Sequence, residues 1–408
     1  MGGHKGTSEK PTFLTVPPEI REQIYALLFR PSSNRRYHED EYTSYEFANS
    51  LKLFLVNRQI YFESRRVFYQ LNTFVRIETP WPQAQEHVMR EGHVPIVMSD
   101  SVAAKFDRWT LGTMIEAPGT PIEGVEMQYF VIHVDDLEKF AQMWYYANLS
   151  HPELNPHLEL TLKLRDPFNP ADEEKRVPLG LQERLILPFG RVRNLRGTLL
   201  LGDLRPITSV EKELRRQQAQ PQNTPEECLN EAVRLKGVGN DAMRDEKYTE
   251  ALQRYNEAWR AIHVVISGRQ RHIHADAFFG RVLQDAPYTG KNGQSERLIL
   301  RVHLVANTCL AYLKLENWLE CRFWGERSIN MLREAMGADD RREIAPEEEA
   351  ILAFPAADQM GKIYYRAAVA CKHMGDLAEA RRLLKVARLY LPNDPNIGRE
   401  QAAVALRF

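Results

Sequence analysis

Three stretches in the second half of the chain fall into one register, and that register limits the fold more than any other feature. They are LKGVGNDAMRDEKYTEALQRYNEA, VANTCLAYLKLENWLECRFWGERS and YYRAAVACKHMGDLAEARRLLKVA. Gly239, Cys309 and Ala368 hold the same place in each. Twelve residues later come Ala251, Cys321 and Ala380, and seven after those Ala258, Ser328 and Ala387. Small residues at such fixed offsets mark three copies of one helical repeating unit. The units are spaced 70 and 59 residues apart, more than a repeat unit of about 34 residues. The excess predicts extended helices or inserted turns, with GRQRHIHADAFFGRVLQDAPYTGKNG as the insert of the first gap. Thr224, Pro225 and Glu227 supply an N-cap, a first-turn proline and the third residue of a capping box. From there to the end no strand pattern occurs, Pro392 closes the third unit, and REQAAVALRF is expected to cap the array.

This register resembles the tetratricopeptide repeat (TPR), and the elongated first unit is similar to the repeats of immunophilin-type co-chaperones. The resemblance implies that the first helix of each unit lines a groove. Lys236 and Asn240, Asn307, and Lys362 and Arg366 then match, position by position, the carboxylate clamp of co-chaperone TPR domains. The implied partner is the carboxy-terminal Glu-Glu-Val-Asp of cytosolic heat-shock chaperones of the ninety- or seventy-kilodalton class. A terminal aspartate offers two carboxylates close together, which ammonium, guanidinium and amide donors suit. Lys236, Asn240 and Asn307 would hold the main-chain carboxylate, and Lys362 and Arg366 the aspartate side chain and a peptide carbonyl. A single lysine on a helix is ordinarily solvated; it is the occurrence of all five together that marks a site.

Residues 1–11 read as a flexible polar tail, and 12–78 as a helical module. In FLTVPPEIREQIYALLF, Pro18 opens a helix whose apolar face is Ile20, Ile24, Leu27 and Leu28. Residues 31–50 read as a polar loop. LKLFLVNRQIYFESRRVFY is a second helix with Leu53, Val56, Ile60, Ser64 and Val67 on one side, and NTFVRI a short strand. Val16-Pro17-Pro18-Glu19-Ile20-Arg21 and Leu55-Val56-Asn57-Arg58-Gln59-Ile60-Tyr61 resemble the F-box-like amino-terminal module common in fungal proteins. That resemblance implies docking of the Skp adaptor of cullin ubiquitin ligases; a small helical domain packed on its neighbour is the other reading.

Residues 79–205 read as an α/β region. YFVIHV, HLELTLKLR and RGTLLLGDL are strand-like, with Leu158, Leu160, Leu162 and Leu164 in strict alternation. Asp135 and Asp136 can cap a helix over LEKFAQMWYY, and LQERLILPF is a second helix, an order that predicts a short parallel sheet. No nucleophile elbow, phosphate loop or metal-ligand spacing occurs there. SVEKELRRQQAQPQN, within 206–223, reads as a linker before the TPR domain of 224–408. The fold class expected is mainly α with a small α/β part.

Fifty-four Lys and Arg against 55 Asp and Glu give a net charge of -1, which disfavours a general nucleic-acid or membrane-surface strategy. No run reaches transmembrane length, the first residues lack an apolar signal stretch, and Cys228, Cys309, Cys321 and Cys371 are too scattered for a disulfide framework. A cytoplasmic or nuclear protein is expected. His272 and His274 lack a third metal ligand nearby. Trp318, Phe323 and Trp324 suit packing between units, PEEEA (346–350) suits the first turn of a helix, and Arg65 and Arg66 suit a wet helix face. The expected function is a non-enzymatic adaptor or co-chaperone without cofactor, the alternative an F-box substrate receptor with a TPR interaction domain.

Overall fold

The computed structural model describes residues 12–38, 43–119, 126–168, 176–335 and 345–405, in two compact units, Met1–Gln222 and Asn223–Phe408. The fold is mainly α with an α/β part, as the sequence predicts. The proposed tail over 1–11 lies outside the described residues.

The first unit is built on an eight-stranded mixed sheet. Its strands are β1 (Arg35–Tyr37), β2 (Thr43–Tyr45), β3 (Phe74–Thr79), β4 (Ile96–Ser99), β5 (Leu111–Glu116), β6 (Gln128–His133), β7 (Glu159–Leu164) and β8 (Gly197–Leu201), in the order β1-β2-β4-β6-β3-β5-β7-β8. The β2–β4, β3–β5 and β7–β8 pairs are parallel and the other pairs antiparallel. The sheet is therefore larger than the short parallel one expected. The boundary at 78/79 also disappears. β3 hydrogen-bonds to β5 on one side and β6 on the other, and β1 and β2 come from the supposed loop. Backbone groups at a sheet centre need partners on both edges, so residues 12–78 do not form a separate helical module.

The five longer helices of this unit are α1 (Pro18–Phe29), α2 (Arg58–Leu71), α3 (Leu137–Ser150), α4 (Leu179–Ile186) and α5 (Thr208–Gln218). Successive strand residues face opposite ways, and each face is covered. Phe74 and Val131 pack with Tyr25, Phe29, Ile60, Val67 and Phe68. Val75, Ile77, Phe130 and Ile132 pack with Leu137, Phe140, Leu185, Ile186 and Leu214. The expected linker accordingly contains α5, held down by buried Val210 and Leu214, one turn apart.

Helix α1 turns a different face inward from the one its apolar residues suggest. Arg21, Tyr25 and Phe29 are buried, while Ile20, Leu27 and Leu28 are 42–58% exposed. The reason lies on α2: Glu63 accepts from Arg21 at 2.8 Å and from the Tyr25 hydroxyl at 3.1 Å, which makes burial of both polar groups affordable. Helix α2 begins late, at Arg58, because the Asn57 side chain caps it by accepting from the Ile60 amide. Val56 is left exposed outside the helix. Asp136 does not cap α3 with its side chain; buried, it accepts from Arg35 and from the Tyr45 hydroxyl, each at 2.6 Å.

The second unit stacks three antiparallel helix pairs: α6 (Pro225–Arg244) with α7 (Tyr248–Ala261), α8 (Gly293–Lys314) with α9 (Trp318–Ala335), and α10 (Ala357–His373) with α11 (Leu377–Tyr390). The Thr224 capping box opens α6. The last helix, α12 (Pro395–Ala403), buries Ile397 and receives an ion pair from Lys372 to Glu400 at 2.6 Å. The first gap holds a hairpin, β9 (Val264–Ser267) with β10 (Gln270–Ile273), and a short helix Asp276–Phe279. Fully buried Arg297 pins this insert, donating to the carbonyls of Ile262, His263 and His274 and pairing with Asp276 at 2.9 Å. His272 ends up on β10 and His274 just beyond it. Trp318 stacks flat on His373 at 4.0 Å, joining α9 to α10.

PEEEA does more than start a turn. Glu349 is 1% exposed and accepts from Arg333 at 2.8 Å, Arg382 at 3.0 Å and the Tyr364 hydroxyl at 2.9 Å. Replacing it with Gln, Glu349→Gln, leaves two guanidinium groups facing a neutral amide. The expected cost is about 3 kcal/mol, seen as a fall of roughly 10 °C in the unfolding midpoint of the second unit. A midpoint within ~2 °C of the parent would refute the hub.

Candidate functional site

Helices α6, α8 and α10 are the first helices of their pairs, and α8 packs against both of the others. Two of the five candidate residues meet directly. Asn307 on α8 donates through Nδ2 to Asn240 Oδ1 on α6 at 2.7 Å. The same oxygen accepts from the Tyr255 hydroxyl at 2.9 Å. With Oδ1 doubly engaged, the Asn240 amide is oriented so that its NH2 group is the end left to donate outward.

This geometry depends on a glycine. A Cβ on Gly239 would stand 2.5 Å from Tyr255 Cε1, far inside contact distance. The bare backbone therefore lets the Tyr255 ring, 1% exposed, lie against α6 with its hydroxyl reaching Asn240.

The cations come next. Lys236, one turn before Asn240, is half-buried, and burial pulls its pKa below the usual lysine value. Arg366 on α10 is half-buried and donates to the Ala306 carbonyl on α8, so part of its fork ties the two helices together. Burial lowers its pKa as well, with the Tyr255 hydroxyl among the groups close enough to act on it. Lys362 is half-buried one turn before Arg366. Among the described residues, none of the three cations has a carboxylate partner.

His303 links the two lysines. It sits on α8 one turn before Asn307, and its pKa is lowered first by burial, then by the charges of Lys236 and of Lys362. The lysines from the first and third pairs thus act on one imidazole from the second. Neither His303 nor Tyr255 was singled out from the sequence. Position 303 could have been found by stepping back one turn from Asn307, the spacing that relates 236 to 240 and 362 to 366. Tyr255 carries no such signal, because an aromatic residue on a helix reads as core.

The arrangement gathers amide donors and cations that have no carboxylate partner among the described residues, suited to an anion bearing more than one oxygen. No group of three metal-ligating side chains occurs among the described residues, and no described helix is long and apolar enough to cross a membrane.

No family model matches the chain, and no curated protein does. Among solved structures it is similar to the C-terminal TPR-containing domain of a Plasmodium falciparum FK506-binding protein. The identity is 16% and the TM-score 0.29, over 45% of this chain and 91% of that one. A likeness of that size adds no weight to the helix pairing described above.

If the lysines share one face with His303, Lys362→Met and Lys236→Met each move the His303 titration upward, because each removes a like charge. An NMR titration of the imidazole reads this directly. An unchanged midpoint in both variants would mean the three pairs do not converge.

Proposed function

We propose that this chain is a non-enzymatic adaptor whose second unit binds the carboxyl terminus of a partner protein. The reading is finer still: the partner segment is the Glu-Glu-Val-Asp terminus of cytosolic heat-shock chaperones. One observation carries it. The Asn240–Asn307 contact stands among Lys236, Lys362 and Arg366, none of which has a carboxylate partner among the described residues. Leaving several half-buried cations uncompensated is costly, and a ligand with two carboxylates at its end relieves that cost.

In this reading Lys236, Asn240 and Asn307 take the main-chain carboxylate, and Lys362 with the free part of the Arg366 fork takes the aspartate side chain. Tyr255 holds the Asn240 amide in position. His303 lies beside the bound carboxylates and gains a proton more readily when they arrive. Each charge-assisted contact contributes about 1.5–3 kcal/mol, and after association costs the affinity is on the order of micromolar.

A second reading concerns the first unit. Leu55 is 85% exposed, Phe62 65% and Val56 58%, and Leu55 and Phe62 line one shallow groove with Phe54 and Tyr61. Large apolar side chains gathered on a surface favour a protein partner. Docking of the Skp adaptor of cullin ligases is the candidate, and both readings can hold in one chain.

The first test is calorimetric titration of the full chain with a peptide ending in Met-Glu-Glu-Val-Asp, beside the same peptide amidated at its carboxyl terminus. Micromolar binding that falls at least tenfold on amidation and with Lys362→Ala is expected; no binding at millimolar peptide would overturn the clamp. For the second reading, purified Skp adaptor should co-elute with the chain in gel filtration and cease to do so with Leu55→Asp and Phe62→Asp. Absence of co-elution with the parent chain would remove that reading.

A further inference from the structure

Helix α8 has a second cationic side, turned away from the one that carries His303 and Asn307. Residues 301, 305, 308 and 312 share it by helical spacing. Val305, Thr308 and Tyr312 line a groove of about 300 Å³, whose far wall includes Trp259 of α7 and Trp324 of α9. The hairpin inserted in the first gap closes one side, contributing Ile266 and Gly268.

Arg271 of β10 is 9% exposed. Its guanidinium lies 5.1 Å from the Trp259 ring and 5.8 Å from the Trp324 ring, and its one hydrogen-bond acceptor among the described residues is the Met331 sulfur at 3.5 Å. Trp324 and Met331 flank Arg327 on one face of α9, so Arg327 is aimed at the same place. Arg301 stands one turn before Val305 on the groove side of α8. The Nε groups of Arg301 and Arg327 are both buried without an acceptor.

The electrostatics agree with the register. Burial first, and then the charges of Arg301 and Arg327, pull the Arg271 pKa down to about 9. Burial also lowers Arg301, and the one carboxylate acting on it, Asp276, is already engaged by Arg297. Glu320, at the other end of the groove, is paired with Arg269 at 2.7 Å.

We propose that Arg271, Arg301 and Arg327 form a binding site for a phosphate group, separate from the peptide groove and on the opposite side of α8. Three guanidinium groups present more planar donor pairs than a carboxylate can use, whereas a tetrahedral phosphate dianion has oxygens for all of them. The Trp259 and Trp324 rings keep water from the innermost arginine. The adjoining aromatic groove has room for the organic part of a phosphate ester.

The test is thermal unfolding of the full chain in inorganic phosphate against chloride at matched ionic strength. The parent should gain roughly 5 °C at 10 mM phosphate if the site binds it with an affinity on the order of 0.1 mM. Arg301→Gln with Arg327→Gln, and separately Arg271→Met, should abolish the gain, while Lys362→Ala keeps it. A general salt effect would stabilise parent and variants alike, and that result overturns the site. So does loss of the gain in Lys362→Ala alone, which would place the anion in the peptide groove. Phenyl phosphate serves as a second probe: a lower half-saturating concentration than inorganic phosphate assigns the site to an ester seated in the groove, and equal concentrations assign it to free phosphate.

Discussion

The second unit depends on one close approach, the Tyr255 ring against the bare backbone of Gly239. It brings α7 onto α6 near enough for the hydroxyl to reach Asn240. That hydrogen bond orients the amide, and the oriented amide in turn receives Asn307 from the next pair. Under the proposed function, packing and recognition therefore share atoms. A larger residue at 239 would push the ring away, and the donor set would lose its reference point before any groove residue had been changed.

Helix α8 carries this logic in both directions. One side presents His303 and Asn307 between Lys236 and Lys362; the other presents Arg301 towards Arg271 and the aromatic groove. A helix packed by neighbours on two flanks has two remaining faces, and here each looks onto cations, the first onto Lys236 and Lys362 of the neighbouring helices and the second onto Arg271 beside its own Arg301. The inserted hairpin makes the second face possible, since it supplies Arg271 and one wall. Arg297, buried beneath, fastens that insert to α8 through three carbonyls. The extra length between the first and second helix pairs is thus fixed structure.

What the sequence disclosed, and what it hid, follows from how local each signal is. The helix pairs were legible because close crossings demand small residues at fixed offsets, and Gly239, Cys309 and Ala368 stand in one register. That register, through its resemblance to carboxylate-clamp repeats, pointed to Asn240, Asn307 and the three cations, of which the structure brings Asn240 and Asn307 into direct contact. Glu349 was not: its arginine partners lie 16 residues before and 33 after it, so a buried hub looked like a first-turn acid. The inward face of α1 was misread for a similar reason, because Arg21 and Tyr25 are buried only by virtue of Glu63 on another helix. The sheet was half visible. β6, β7 and β8 show apolar alternation or apolar runs, whereas β1, β2 and β4 are three or four residues long and gain their identity from pairing.

The chain has the means to neutralise its arginines, which gives the exceptions their meaning. With 55 acids against 54 bases, composition does not force any cation to go unpaired. Several arginines drawn into the fold elsewhere are met by acids: Glu63 meets Arg21, Asp136 meets Arg35, and Glu349 meets both Arg333 and Arg382. The two faces of α8 break that pattern within one unit. A half-buried cation loses hydration that a backbone carbonyl or an aromatic ring offsets only in part, so a fold that leaves such groups without a carboxylate on both sides of one helix is stabilised by an anion that reaches them. With the proposed anions bound the unit would be tighter than when empty, and the stability lost in leaving the cations apart would become binding energy.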